Sequence, residues 1–144
     1  MEIQVKALHP DAVVPAYAHD GDAGCDLYAV EECVIRARGG RALVATGLSV
    51  AIPEGFGGFV LPRSGLASKH GVTCINSPGL VDAGYRGELK VALVNLDPDV
   101  DYHVKKGDRV AQLVIMPVAS VLFVATDELP VASRGIGGFG STGR

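Results

Sequence analysis

Residues suited to chemistry concentrate in four segments. The last eleven, Arg134 to Arg144, read RGIGGFGSTGR: five glycines, one aromatic ring, two hydroxyls and an arginine at each end. Without a Cβ, the glycine N–H groups can approach phosphate oxygens, Ser141 and Thr142 can donate, Arg134 offers a two-pronged charge, and Phe139 can lie over a flat ring. Such contents suit a nucleotide lid. They suit a flexible end equally well, because so much glycine cannot offset its ordering entropy from its own contacts. The G-x-G-x-x-G spelled by Gly135 to Gly140 is not a dinucleotide fingerprint, since that mechanism needs a helix after the glycines and only four residues remain.

In the second segment, Pro62-Arg63-Ser64-Gly65-Leu66-Ala67, a guanidinium and a hydroxyl stand at the first turn of an expected short helix over 64–70. Ser64 is its expected cap and Gly71 its stop, an arrangement that favours an anion. The third segment, Asn76 to Gly87, reads as a hairpin. Asp82-Ala83-Gly84 is ordinary turn chemistry, but an aspartate fixed on a turn can also orient and deprotonate water, while Asn76 can hydrogen-bond a ligand edge. The fourth segment, Asp20-Gly21-Asp22-Ala23-Gly24-Cys25-Asp26-Leu27, clusters carboxylates among glycines. It lacks the closing glutamate of a calcium loop, so a cation arriving with a polyphosphate, touched by Asp26 through water, fits better than a dedicated cage.

Other chemistries find no support. His9, His19, His70 and His103 show no metal-binding spacing, and Cys25, Cys33 and Cys74 form no C-x-x-C pair. A nucleophile elbow and a Walker lysine are both missing. Net charge is −3 with no basic run beyond Lys105-Lys106, which excludes a duplex nucleic-acid footprint. The N-terminus has no signal-peptide pattern, and the uncharged stretch from Val110 to Thr126 is broken by Pro117, so two strands are expected there and no membrane span. A reduced, cytoplasmic protein is the expected setting.

These segments need a scaffold, and composition points to strands. Glycine (19) and proline (8) make up about a fifth of the 144 residues, against roughly an eighth in average usage. Val (20) and Ile (6) together double Leu (13), and β-branched material favours sheets. Strand-like runs recur at Ile3–Leu8, Cys25–Val30, Arg41–Ile52, Phe56–Leu61, Val72–Asn76, Glu88–Leu96, Tyr102–Val104, Arg109–Met116 and Val121–Ala125, with good turn formers between them. Their spacing suits an all-β sandwich or barrel of one domain. Val91–Val94 and Val110–Met116 are almost continuously apolar, which calls for burial on both faces, within the core or against another subunit.

Together with Gly107-Asp108-Arg109-Val110-Ala111-Gln112-Leu113, the four segments resemble the five ordered motifs of the homotrimeric dUTPase family: AGCDL, PRSGLA, a block ending VDAGYRGE, GDRVAQL and RGIGGFGSTG, spanning Ala23 to Gly143. The resemblance implies a jelly-roll-like distorted β-barrel over residues 1–133 with one short helix, trimeric, and a mobile Gly-rich arm over 134–144 that closes over the active site. It implies hydrolysis of dUTP to dUMP and pyrophosphate with Mg²⁺, keeping uracil out of DNA and supplying dUMP for thymidylate synthesis. By the same resemblance Asp82 activates the attacking water. Asn76 and the backbone of Gly79, Leu80 and Lys90 read the uracil edge, with Val81 in the same substrate-binding stretch. Tyr85 stacks under the sugar and excludes a ribose 2′-OH. Arg63, Ser64, Gly65 and Gln112 hold phosphates, and Asp26 contacts Mg²⁺ through water. Phe139 covers the uracil ring, while Arg134, Gly140, Ser141 and Thr142 take phosphates. Each site draws on all three subunits.

Two other functions compete. A dCTP deaminase shares the fold, but the complete C-terminal motif and the Asp82-to-Tyr85 block favour dUTP hydrolysis. A non-catalytic nucleotide sensor is disfavoured because both Asp82 and the whole C-terminal motif are kept.

Overall fold

The computed structural model describes residues 1–133 and 135–137. Eleven strands and one helix follow in the order β1 (Gln4–Ala7), β2 (Cys25–Tyr28), β3 (Cys33–Ile35), β4 (Gly40–Ala45), β5 (Leu48–Ala51), β6 (Phe56–Leu61), α1 (Ser64–His70), β7 (Val72–Cys74), β8 (Gly79–Val81), β9 (Lys90–Asn95), β10 (Tyr102–Val104) and β11 (Arg109–Pro117). All pairings are antiparallel. A four-stranded sheet runs β2-β11-β6-β8, a three-stranded sheet runs β4-β9-β7, and β1-β5 and β3-β10 form two ribbons.

One core joins them. Leu27 of β2, Ile35 of β3, Leu48 of β5, Val72 of β7, Leu93 of β9, Val104 of β10 and Val110 of β11 are all essentially removed from water. Burying side chains of this kind contributes roughly 1.5–3 kcal/mol each, which accounts for the β-branched excess. Asn95 is one of three buried polar side chains among the described residues, with Thr46 and Ser49. Its amide donates to the carbonyls of Ile35 (3.0 Å) and Val100 (2.9 Å), and its oxygen accepts from the Asp97 N–H (3.0 Å). The buried amide is thereby satisfied and ties β9 to the ends of β3 and of the loop before β10.

The all-β expectation holds, with corrections at particular places. The run Arg41–Ile52 is two strands, because Gly47 adopts φ 66° and a Cβ there would lie 2.6 Å from that of His9, so the chain turns between β4 and β5. β3 was not anticipated from its three residues. Pro117 ends β11, but Val121–Ala125 forms no strand. Leu122 and Phe123 are 87% and 91% exposed and pair with no strand among the described residues. β9 and the first half of β11 are buried on both faces as expected, whereas Met116 and Pro117 open to solvent. The helix is capped by Arg63, extended at φ −93° and ψ 127°, with no side-chain cap bond. Ser64 is therefore its first helical residue and not its cap. Gly71 ends it as expected, left-handed at φ 63°.

Candidate active site

The segment from Asn76 to Leu89 connects β7 to β9, which pair with each other, so the hairpin expectation holds in outline. Midway, however, the connection crosses to the other sheet, where β8 pairs with β6. Leaving β8, the chain turns at once. The Tyr85 N–H donates to the Asp82 carbonyl (3.0 Å), and this turn leaves the Asp82 side chain exposed. The Tyr85 hydroxyl donates to the Glu88 carbonyl (2.9 Å), drawing the hydroxyl end of the ring against Gly87, where a Cβ would come within 2.6 Å of ring atom Cζ. Gly79 lies close under Asn76: a Cβ there would sit 3.2 Å from the Asn76 amide nitrogen, tight enough to push the amide away from β8. Leu80, Val81, Asp82, Tyr85 and Lys90, five of the expected site residues, line one cleft of about 560 Å³ with Leu43, Val60, Glu88 and Leu89.

Residues outside the expected set hold this loop from behind. Thr46 Oγ1 donates to the Leu89 carbonyl (2.6 Å) and Ser49 Oγ to the Arg86 carbonyl (2.7 Å). Glu88 accepts from the Gly47 N–H (2.9 Å) and pairs with the Lys90 ammonium (3.3 Å). Thr46 and Ser49 are nearly solvent-free, so these bonds fix the β4–β5 corner to the loop.

A second group lies at the other edge of the four-stranded sheet. β2 and β11 place Asp26 opposite Gln112, and β11 and β6 place Gln112 opposite Leu61, just before Arg63. The Asp26 carboxylate is held on both oxygens, by Arg63 Nε at 3.0 Å and by an Arg109 guanidinium nitrogen at 3.2 Å. Arg63 also donates to the Arg109 carbonyl (3.2 Å), and the Gln112 amide donates to the Pro62 carbonyl (3.1 Å). Gly24 packs against Gln112, whose side-chain oxygen would stand 2.9 Å from a Cβ there. Ser64 and Gly65 are exposed at the start of α1 beside this corner. Arg63, Ser64, Gly65, Gln112 and Asp26 are thus brought together. Arg109 joins them although no role was expected of it; its only signal was its place in GDRVAQL.

The two groups do not meet within one chain. Asp26 is on edge strand β2, while Asp82 follows edge strand β8, three strand spacings away, and Val81 pairs with Gly58 at the far end of β6 from Leu61. At about 4.8 Å per strand and 3.3 Å per residue, their backbones are on the order of 15–20 Å apart. Arg134, Phe139, Gly140, Ser141 and Thr142 lie outside the described residues.

Among the described residues no group of three or more His, Cys, Asp or Glu side chains could hold a metal ion by itself. An Mg²⁺ that keeps its waters and most of its phosphate ligands needs only one carboxylate from the protein. Asp26, a hard oxygen donor among phosphate-seeking guanidiniums, fits that requirement.

An all-β barrel with an acid-bearing turn over a small cleft and a separate guanidinium–carboxylate corner has the build of a nucleotide-handling protein. The family model described as dUTPase matches residues 11–143. Two curated relatives are deoxyuridine 5′-triphosphate nucleotidohydrolases. That of Thermobifida fusca (strain YX) is 52% identical over 143 residues, covering 99% of this chain and 79% of its own. That of Clostridium kluyveri is 50% identical, covering 99% of both. The Staphylococcus bacteriophage 80alpha dUTPase solved with dUpNHpp superimposes with a TM-score of 0.92 at 32% identity over 99% of both chains. A dUTPase from S. aureus phage phi11, described as coordinating a structural Mg(II) ion, has a TM-score of 0.84 at 28% identity, over 91% of this chain and all of its own. The chain belongs to the dUTPase family, with that family's jelly-roll-like β fold.

Proposed function

We propose that the Asp82 cleft takes the deoxyuridine of dUTP and that the Asp26 corner of another copy takes its Mg²⁺-bound triphosphate, in a homotrimer. The chain hydrolyses dUTP to dUMP and pyrophosphate. One observation carries the assignment of roles: Leu80, Val81, Asp82, Tyr85 and Lys90 border a single cleft, so an acid stands at the rim of a hollow sized for a nucleoside.

The two groups take different parts of the substrate. The uracil edge meets Asn76 and the backbone of Gly79, Leu80 and Lys90, and the Tyr85 ring, pinned by its hydroxyl, forms a flat support under a sugar that lacks a 2′-OH. Asp82 accepts a proton from water, whose oxygen bonds to the α-phosphorus as the bond to the bridging oxygen breaks and pyrophosphate leaves. A carboxylate is a weak base, so the effect of Asp82 rests on position and on an electrophile already neutralised. Arg63, Ser64, Gly65 and Gln112 hold the phosphates, and Asp26 faces the metal's water shell. Mg²⁺ bound to the triphosphate would neutralise its oxygens and hold the leaving pyrophosphate. Residues 134–144 would close over the whole, Phe139 on the base and Arg134, Gly140, Ser141 and Thr142 on the phosphates, excluding bulk water.

The separation of 15–20 Å estimated from the sheet supports sharing between copies. A base must come within about 3 Å of the water it deprotonates, and Asp82 cannot reach a phosphate held at Asp26 of its own chain. Described residues contain no helix long and apolar enough to cross a membrane, and the substrate is expected in the cytoplasm. The test is Asp82→Asn, which removes the base and keeps the shape. Turnover should vanish while dUpNHpp still binds; near-normal turnover would overturn the role of Asp82.

A further inference from the structure

We infer that Arg109 is a polyphosphate-binding residue which, before the nucleotide arrives, is held in place by Asp26. The inference rests on the proposed site, in which Asp26 faces the metal and Arg63 the phosphates, and extends it to a side chain given no part there.

The observation is one carboxylate shared by two guanidiniums. Asp26 Oδ1 is 3.0 Å from Arg63 Nε and Asp26 Oδ2 is 3.2 Å from an Arg109 terminal nitrogen. The Arg63 guanidinium also donates to the Arg109 carbonyl (3.2 Å), so the two arginines are locked into one unit. One carboxylate cannot pair fully with two guanidiniums, and Arg109 reaches it through a single terminal nitrogen. The corner is also only partly covered: the Asp26 side chain is 19% exposed, Arg63 27% and Arg109 50%. A structural ion pair that merely stitched β2 to β11 would need one cation. The second guanidinium, half in solvent and beside Gln112, is positioned as a phosphate fork.

A metal-bound polyphosphate changes partners here. Its oxygens compete for both guanidiniums, and as these turn from Asp26 to phosphate the carboxylate is released towards the metal's waters. The exchange replaces one shared carboxylate by the several oxygens of the polyphosphate, so both guanidiniums gain full partners. It also makes the metal and the polyphosphate arrive together, because Asp26 is engaged until phosphate draws the arginines away. Arg109 thus acts twice, as the group that masks Asp26 and as a contact to the phosphate chain.

Binding separates this from a structural role without any turnover. Calorimetry on the full chain compares wild type, Arg109→Gln and Arg109→Lys, with two probes: tripolyphosphate in MgCl₂, and deoxyuridine, which has no phosphate. Arg109→Gln should weaken tripolyphosphate binding about tenfold at low salt and flatten its salt dependence, as expected for one lost charge-assisted contact, and leave deoxyuridine binding unchanged. Arg109→Lys, which keeps the charge but loses the fork, should fall between the two. Equal tripolyphosphate affinity in Arg109→Gln and wild type would overturn the proposal, and so would an equal loss of both probes. Should Arg109→Gln not fold, Arg109→Lys decides: wild-type affinity and salt slope overturn a fork, while a loss confined to tripolyphosphate upholds it. Wild type that binds tripolyphosphate but not deoxyuridine would instead remove the nucleoside assignment of the Asp82 cleft, leaving Arg109 to be judged on its own probe.

Discussion

Replacing Gly87 with alanine should damage catalysis far more than stability. Gly87 is not among the residues at positive φ, so alanine meets no backbone strain there, only crowding. Its Cβ would stand 2.6 Å from Tyr85 Cζ and 2.9 Å from Cε2, where ordinary contact needs about 3.5 Å. The ring must retreat by about 1 Å. It can do so because Tyr85 is exposed, and the move breaks its hydrogen bond to the Glu88 carbonyl. Losing one such bond costs about 1 kcal/mol, or roughly 2–4 °C in melting temperature for a chain of this size. The same 1 Å shift displaces the support proposed for the sugar, and misplacement on that scale costs about 100-fold in rate. Pyrophosphate release should therefore show kcat/KM for dUTP falling by about two orders of magnitude, with a smaller fall for UTP because the barrier to a 2′-OH is loosened. An unaltered kcat/KM together with an unaltered preference for dUTP would refute the role of the Tyr85 platform, whatever the melting temperature did.

Further consequences can be checked separately. Removing residues 134–144 should cut turnover by about 100-fold or more while leaving the melting temperature unchanged; an equal collapse of both would make the arm part of the barrel. Sedimentation should find three chains in the active species, and an active monomer would contradict sharing of sites. Acid stability should depend on the loop before β10. The Ala37 N–H and then Arg36 hold the Asp101 carboxyl below the usual carboxylate value, and the N–H groups of Asp99 and then Val100 do the same for Asp97. A lowered folded-state pKa stabilises above the unfolded value and is lost as pH falls through the folded one. Asp101→Asn should therefore lower the melting temperature at neutral pH, with a deficit that shrinks below pH 3.8; a deficit unchanged down to pH 2 would mean the charge is not what stabilises.

Much of the fold was legible because strand residues and turn residues alternate along this chain so regularly. The misses have physical causes. β3 follows directly on Glu31 and Glu32 and is set by its pairing with β10, and β8, within an expected turn, exists only because β6 offers it an edge. Val121–Ala125 has a strand's composition but no partner among the described residues. At the candidate site, Leu80, Val81, Asp82, Tyr85 and Lys90 line one cleft and Asp26, Arg63 and Gln112 lie at one corner, because turns and short motifs carry local instructions. What holds those clusters together is not local. Arg109 and Asp26 are 83 residues apart and meet only through the register of β11 on β2, which slips between Arg109 and Ala111. Thr46 and Ser49 support the Asp82 loop from 43 and 37 residues away, and a lone threonine at a corner or serine in a strand gives no sign of such a task. Gly87 was readable as a turn former, but its place against the hydroxyl end of Tyr85 was visible only in three dimensions.

The central claim is that this chain cleaves dUTP at the α-phosphorus through Asp82. Incubating it with Mg²⁺ and either dUTP or dCTP, and assaying both pyrophosphate and ammonia, tests that claim most directly. Pyrophosphate should appear from dUTP alone, without ammonia, and should cease with Asp82→Asn. Ammonia from dCTP, or no pyrophosphate from dUTP, would contradict the account.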